Sequence, residues 1–92
     1  MSYPTYLPTI GNQLGDDIDD ELKKAYDKFP RKQASLHEGY AVLKEEVDEL
    51  WEEIKHQQSD YSYSRIRKEA IQVAAMAIRL LKDSGFDRET QK

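Results

Sequence analysis

The sequence has no cysteine, which removes disulfides, zinc–thiolate sites and thiol catalysis. No apolar run approaches the roughly 18 residues of a membrane span, and no basic-then-apolar leader opens the chain. A soluble, cytoplasmic protein with no membrane partner is therefore expected. Basic charge is also short. Fourteen Lys and Arg face 18 Asp and Glu, a net charge of −4, which argues against a nucleic-acid polymer as partner and suits a cation. Only four Gly and three Pro interrupt the 92 residues, and no Gly-rich phosphate loop is among them. With 38% hydrophobic and 35% charged residues, the composition fits one small helical domain. A chain of this size buries a modest core and often needs a second subunit.

The clearest pattern is LHEGYAVLKEEVDELWEEI, Leu36 to Ile54. Its apolar residues Leu36, Tyr40, Leu43, Val47, Leu50 and Ile54 recur at spacings of 4, 3, 4, 3 and 4. That is a one-sided seam on a long helix. With Leu43 as the zero of a helical wheel, the seam spans roughly 80°. Glu46, Glu49 and Glu53 then lie on one flank, at roughly −60°, −120° and −80°. Ser35 and Glu38 form a capping box that fixes the start of this helix. His37 lies off the seam and reads as a surface or packing residue. Trp51 reads as a packing anchor against the first helix or a second subunit.

On either side the chain divides as follows. Residues 1–15 hold two prolines and two glycines without charge, and read as an extended arm or a frayed terminus. Residues 16–29 read as the first helix, with Ile18, Leu22, Ala25, Tyr26 and Phe29 as its apolar stripe. Asp16, Asp17, Asp19 and Asp20 are assigned to its N-terminal dipole rather than to a metal. Pro30 ends it. The third helix is expected from about Ser64 to Asp83, before Gly85. Its seam is Ile66, Ala70, Val73, Ala77, Leu80 and Leu81, widened by Ile71, Ala74, Ala75 and Ile78. A helix apolar on most sides is buried on most sides. The fold class is therefore all-α: a helical bundle of three main helices per chain, its core completed by homo-oligomerisation. Residues 16–85 form the domain and 86–92 a loose tail.

On the third helix, with Ile66 at zero, Glu69 and Gln72 fall at roughly −60° and −120°, the angles of Glu46 and Glu49. Arg65, Met76 and Arg79 share that flank. Two antiparallel helices meeting seam to seam would bring these flanks to one side. A turn near Ser59–Tyr61 sets Glu49 opposite Gln72 and Glu53 opposite Glu69. Carboxylates so crowded repel one another. Either Arg65 and Arg79 neutralise them, or a hard divalent cation does; the bland alternative is a solvated acidic ridge with pairs such as Arg65–Glu69.

The run Leu43-Lys44-Glu45-Glu46-Val47-Asp48-Glu49-Leu50 resembles the EExxE signature of the MazG-like, all-α nucleoside triphosphate pyrophosphohydrolases. Glu69-Ala70-Ile71-Gln72 stands where that family has ExxD. The flanking HEGY and VAAMAIR resemble its small phage and bacterial members. The resemblance covers residues 34–83. It implies a helical fold assembled into dimers or tetramers, Mg²⁺ (or Mn²⁺) as cofactor, and cleavage of nucleoside triphosphates to monophosphate and pyrophosphate. By position, it implies Glu46, Glu49 and Glu69 as catalytic metal ligands, Gln72 as a further ligand, and Glu45 in a supporting role. Glu53 can support the site too, and Arg65 and Arg79 would bind phosphate. Gln72 departs from the pattern, because it brings a neutral carbonyl where the family brings a carboxylate. A slow enzyme, a one-metal variant, a nucleotide-binding relative without turnover and a helical interaction module are all compatible with that change.

Overall fold

The computed structural model describes residues 11–56, 60–86 and 88. Among them the chain is all-helical, with three helices and no strand: α1 (Asn12–Lys28), α2 (Leu36–Lys55) and α3 (Asp60–Ser84). No helix is long and apolar enough to cross a membrane among these residues. Most of the expected arm, much of the α2–α3 turn and most of the tail lie outside the described residues.

Two helix starts differ from expectation. α1 begins at Asn12, not Asp16, after an extended Gly11 that offers no side-chain cap. The apolar spacing of Leu14, Ile18 and Leu22 carries the helix backwards past Gly15. Asp16 and Asp17 therefore sit beyond the first turn, which contains no acid, and the dipole account of the aspartates does not hold. Asp17 instead pairs with Arg67 of α3 at 2.8 Å. α3 starts at Asp60, four residues earlier than Ser64. Other ends follow the sequence signals. Ser35 Oγ accepts from the Glu38 amide at 3.1 Å, while the Glu38 carboxylate accepts from Ala34 N rather than from Ser35 N. Gly85 has φ +83 and closes α3 in a Schellman turn, with Phe86 N donating to Leu81 O at 2.8 Å and Gly85 N to Lys82 O at 3.2 Å.

α3 is the central element. Polar contacts step along α1 and α3 in the same direction, Asp17 to Arg67, Glu21 to Gln72 and Tyr26 to Asp83, so these two helices are parallel. α2 is antiparallel to α3: Gly39 lies against Leu80 at one end and Glu53 against Arg65 at the other. α1 and α2 do not pack on each other; both rest on α3. The core is Ile18 and Leu22 of α1 with Ile71, Ala75 and Met76 of α3, joined by Val42 and Leu43 of α2.

Most of the α2 seam faces outward, contrary to the seam-to-seam expectation, although Leu43 packs on the core. Tyr40 is 60% exposed, Leu36 50% and Val47 44%. α2 meets α3 through the neighbouring stripe of Gly39, Val42, Leu43 and Glu46. Gly39 sets that choice, because a methyl there would run into Leu80 Cδ1 and approach Gln33 Oε1 to 2.8 Å. The absent side chain lets the helices close along this line. On α3 the buried residues are Ile71, Ala75, Met76 and Arg79, again beside the expected seam. Trp51 is exposed and carries Lys55 Nζ over its ring at 5.8 Å; it does not anchor α1.

Candidate metal centre

The α2 stripe that meets α3 carries Glu46 inward, and Glu49 and Glu53 follow it along the same edge. Across from them α3 presents Gln72, Glu69 and Arg65. Glu46, Glu49 and Glu69 each offer an oxygen, and these oxygens all lie within 4.8 Å of one another. Glu46 and Glu69 are half-buried and Glu49 is exposed. The pairing is displaced by about three residues from expectation. Gln72 meets Glu46, and Arg65 meets Glu53 at 3.0 Å. The early start of α3 accounts for the shift, because it moves the turn towards α2.

The Gln72 amide fits this pocket in two orientations. In one, its nitrogen donates to Glu21 Oε2 at 3.4 Å and its oxygen faces the carboxylates. In the other, the nitrogen donates to Glu46 Oε1 and Glu69 Oε1, at 3.0 Å each. The second satisfies the amide when carboxylates are its only neighbours. The first sets an acceptor against acceptors and needs a proton or cation between them. Glu21, on α1, lies beside Gln72 at the edge of the site, and the sequence reading missed it. Its signal was the one used for Glu46: Glu21 flanks the apolar stripe, one turn before Ala25.

Electrostatics records the crowding. Burial pushes the Glu46 carboxyl up to about 7, with further upward contributions from Glu49, Glu69 and Glu45. Glu69 is raised as well, by burial and then by Glu49 and Glu53, with Lys68 opposing. Both carboxyls hold protons more tightly in the fold than in the unfolded chain, so ionising them weakens the fold. Stability from this cluster is fullest below the ordinary carboxylate range and is lost as pH rises through about 7 for Glu46. A bound cation removes that loss. In EDTA, the melting temperature is expected to fall between pH 5 and pH 8, and Mg²⁺ to restore it at pH 8 (range set by the Glu46 value of about 7). A melting temperature equally pH-dependent with and without Mg²⁺ would show that no cation binds there.

The two predicted phosphate ligands are both engaged. Arg65 is exposed and pairs with Glu53. Arg79 is 4% exposed and acts as a staple. Its Nε donates to Asp83 Oδ2 at 3.1 Å, Nη1 to Ala25 O at 3.3 Å, and Nη2 to Phe29 O at 2.7 Å and Arg31 O at 2.9 Å. Its guanidinium also stacks 4.3 Å from the Tyr26 ring centroid. Asp83 completes the hub, accepting from Tyr26 Oη at 2.7 Å and Gln33 N at 3.0 Å. Burial alone would raise the Asp83 carboxyl, but the hydrogen bonds from Gln33, Tyr26 and Arg79 outweigh it and hold the group low. Arg79 therefore fastens the α1–α2 connection to the end of α3 and has little capacity left for a phosphate. Glu45 is exposed and stands outside the three-carboxylate cluster, on the wall of an adjoining cleft. His37 is exposed.

No family model, curated protein or solved structure matches the chain. The site therefore stands on its own geometry. Oxygen donors alone, partial exposure and an amide able to present a carbonyl suit a hard cation such as Mg²⁺ that keeps some of its waters. Glu46, Glu49, Glu69 and Gln72 are the residues that would hold it.

Proposed function

We propose that this protein hydrolyses nucleoside triphosphates to monophosphate and pyrophosphate in a Mg²⁺-dependent reaction, as a MazG-like pyrophosphohydrolase would. The observation that carries this reading is the meeting of Glu46, Glu49 and Glu69 from two helices, oxygens within 4.8 Å, beside a cleft large enough for a ligand. Mg²⁺ at that position would neutralise phosphate charge and favour attack by water. The chain's own residues do the rest. Glu46 and Glu69 come from opposite helices and would hold the ion between them. With an ion present, Gln72 would turn its carbonyl inward and its nitrogen towards Glu21. Glu49, the exposed member, faces solvent and is placed to accept a proton from the incoming water. Water adds at the α phosphorus, the bond to the bridging oxygen breaks, and pyrophosphate leaves. The neutral Gln72 favours a second reading, a nucleotide-binding protein with little turnover.

The test is incubation with each ribo- and deoxyribonucleoside triphosphate, with Mg²⁺ or with EDTA. Pyrophosphate release that needs Mg²⁺ is the expected result. No release with any nucleotide removes the hydrolase. A nucleotide-dependent thermal shift without release then identifies the second reading.

The same proposal includes a second copy of the chain over the α2 seam. Among the described residues only five apolar side chains are buried, and none of the large ones is fully so. Leu36, Tyr40, Val47 and Ile54 of the seam, which repeats at coiled-coil spacing, are left exposed. Val47 is exposed in the single chain, so Val47→Glu would be harmless to a monomer. Sedimentation is expected to show a dimer or tetramer for the native protein and a smaller species for Val47→Glu. A native monomer would remove the second copy.

A further inference from the structure

Glu46 and Gln72, at the edge of the carboxylate cluster, line a cleft of about 630 Å³, walled by α1 and α2 and floored by α3. Its volume is within the range of pockets that hold small organic ligands. The cleft is polarised along its length. One end carries Glu21, Glu46 and Gln72; the other carries Lys28, Phe29 and Arg31, with Glu38 beside Arg31. From Glu46 to Glu38 the α2 wall spans two helical turns, roughly 12 Å. Between the ends lie Lys24 and Ala25 on one wall, Val42 on the other and Met76 on the floor.

The cations of this wall differ in availability. Arg79 is engaged by backbone carbonyls and Asp83. Arg31 donates to Lys32 O and lies 3.7 Å from Glu38. Lys24 and Lys28 form no ion pair among the described residues, and Lys28 Nζ rests 5.6 Å from the centroid of the Phe29 ring. Lys24 stands one turn beyond Glu21, which touches Gln72. Both lysines are therefore within one or two turns of the carboxylate cluster, on the wall that faces it. These are two positive charges without an ion pair on the α1 wall, with Glu45 and Glu38 on the α2 wall of the same cleft.

We infer that the cleft seats a nucleoside polyphosphate lengthwise, with Lys24 and Lys28 gripping its phosphates. The inference rests on the pyrophosphohydrolase reading for the ligand class, and it replaces Arg65 and Arg79 as phosphate contacts. A polyphosphate approaching the carboxylates is repelled unless a cation lies between them. Its remaining charge then needs positive partners further along, and α1 supplies them. Val42, Met76 and Phe29 give the apolar surface that a base requires and that inorganic phosphate does not.

The experiment is calorimetric titration of the native chain with an α,β-methylene nucleoside triphosphate and Mg²⁺, beside inorganic tripolyphosphate. The variants are Lys24→Gln/Lys28→Gln and a charge-matched control, Lys23→Gln/Lys32→Gln, at exposed positions outside the cleft. Loss of a charge-assisted contact is expected to weaken the analogue about tenfold for each cleft lysine. The control pair should stay near native affinity, and the thermal shift given by Mg²⁺ alone should be the same in all three proteins. Equal weakening by both pairs, or by neither, overturns the assignment. Tripolyphosphate bound as tightly as the analogue removes the nucleoside from it. Lysine-dependent binding without hydrolysis supports the cleft and defeats the hydrolase. Hydrolysis with unchanged binding in the cleft variant does the reverse.

Discussion

Replacing Arg79 with alanine is expected to lower the stability of the fold by about 3–5 kcal/mol, the usual consequence of breaking a buried ion pair. The guanidinium and the Asp83 carboxylate are 5% and 6% exposed, so water cannot substitute for the lost partner. The carbonyls of Ala25, Phe29 and Arg31 lose their donor in the same step. Gln33 N and Tyr26 Oη still reach Asp83, which keeps the effect towards the lower end of the range. For a domain of this size, about 3 kcal/mol corresponds to a fall of roughly 12–20 °C in melting temperature. Arg65→Ala removes an arginine of the same predicted role but from an exposed pair, and should leave the melting curve nearly where it was. Urea or thermal unfolding of the two variants decides the matter. Arg79→Ala with a native melting curve but lost nucleotide binding would return Arg79 to the ligand and end its assignment as a staple.

Glu49→Ala is expected to remove Mg²⁺-dependent pyrophosphate release by about 100-fold or more, since even outer contacts of a metal site are worth 10–100-fold. Its second signature is in stability. Glu49 contributes to the upward shift of both Glu46 and Glu69. Removing it relieves that repulsion, so the variant in EDTA should melt no lower than the native protein at pH 8. Mg²⁺ should then raise its melting temperature little or not at all. A general packing defect would lower the melting temperature and leave the Mg²⁺ increment intact. Gln72→Asp acts in the opposite sense, adding a charge at the site and raising Mg²⁺ affinity. Unchanged Mg²⁺ binding in both variants would place the ion elsewhere.

The three helices were legible because each has its own apolar period and its own stop signal, and Ser35 and Gly85 act as their residue types lead one to expect. The carboxylate cluster was legible in angle. Glu46, Glu49, Glu69 and Gln72 share one flank, and an antiparallel pair meeting through its seams or through the stripe on this flank's side brings the flanks together. Register was not legible, because it depends on where α3 begins, and Asp60-Tyr61-Ser62-Tyr63 has the composition of a turn although it is helical. The outward seam was hidden for a different reason. Periodicity marks the greasy side of a helix but not what covers it, and the close approach at Gly39 selected the neighbouring stripe. Arg79 shows the same limit. Its wheel angle matches Gln72, but it lies seven residues further along, roughly 10 Å, at the level of the α1–α2 connection. Angle without height assigns it to the wrong end of the cleft.

Because α1 and α2 each rest on α3 and not on one another, the cleft has walls with separate attachments. The carboxylate cluster belongs to α2 and α3, whereas Lys24 and Lys28 belong to α1. Changes along α1 can therefore widen, narrow or recharge the opening while Glu46, Glu49 and Glu69 keep their places on α2 and α3. Ligand preference can drift in this architecture without disturbing the carboxylates.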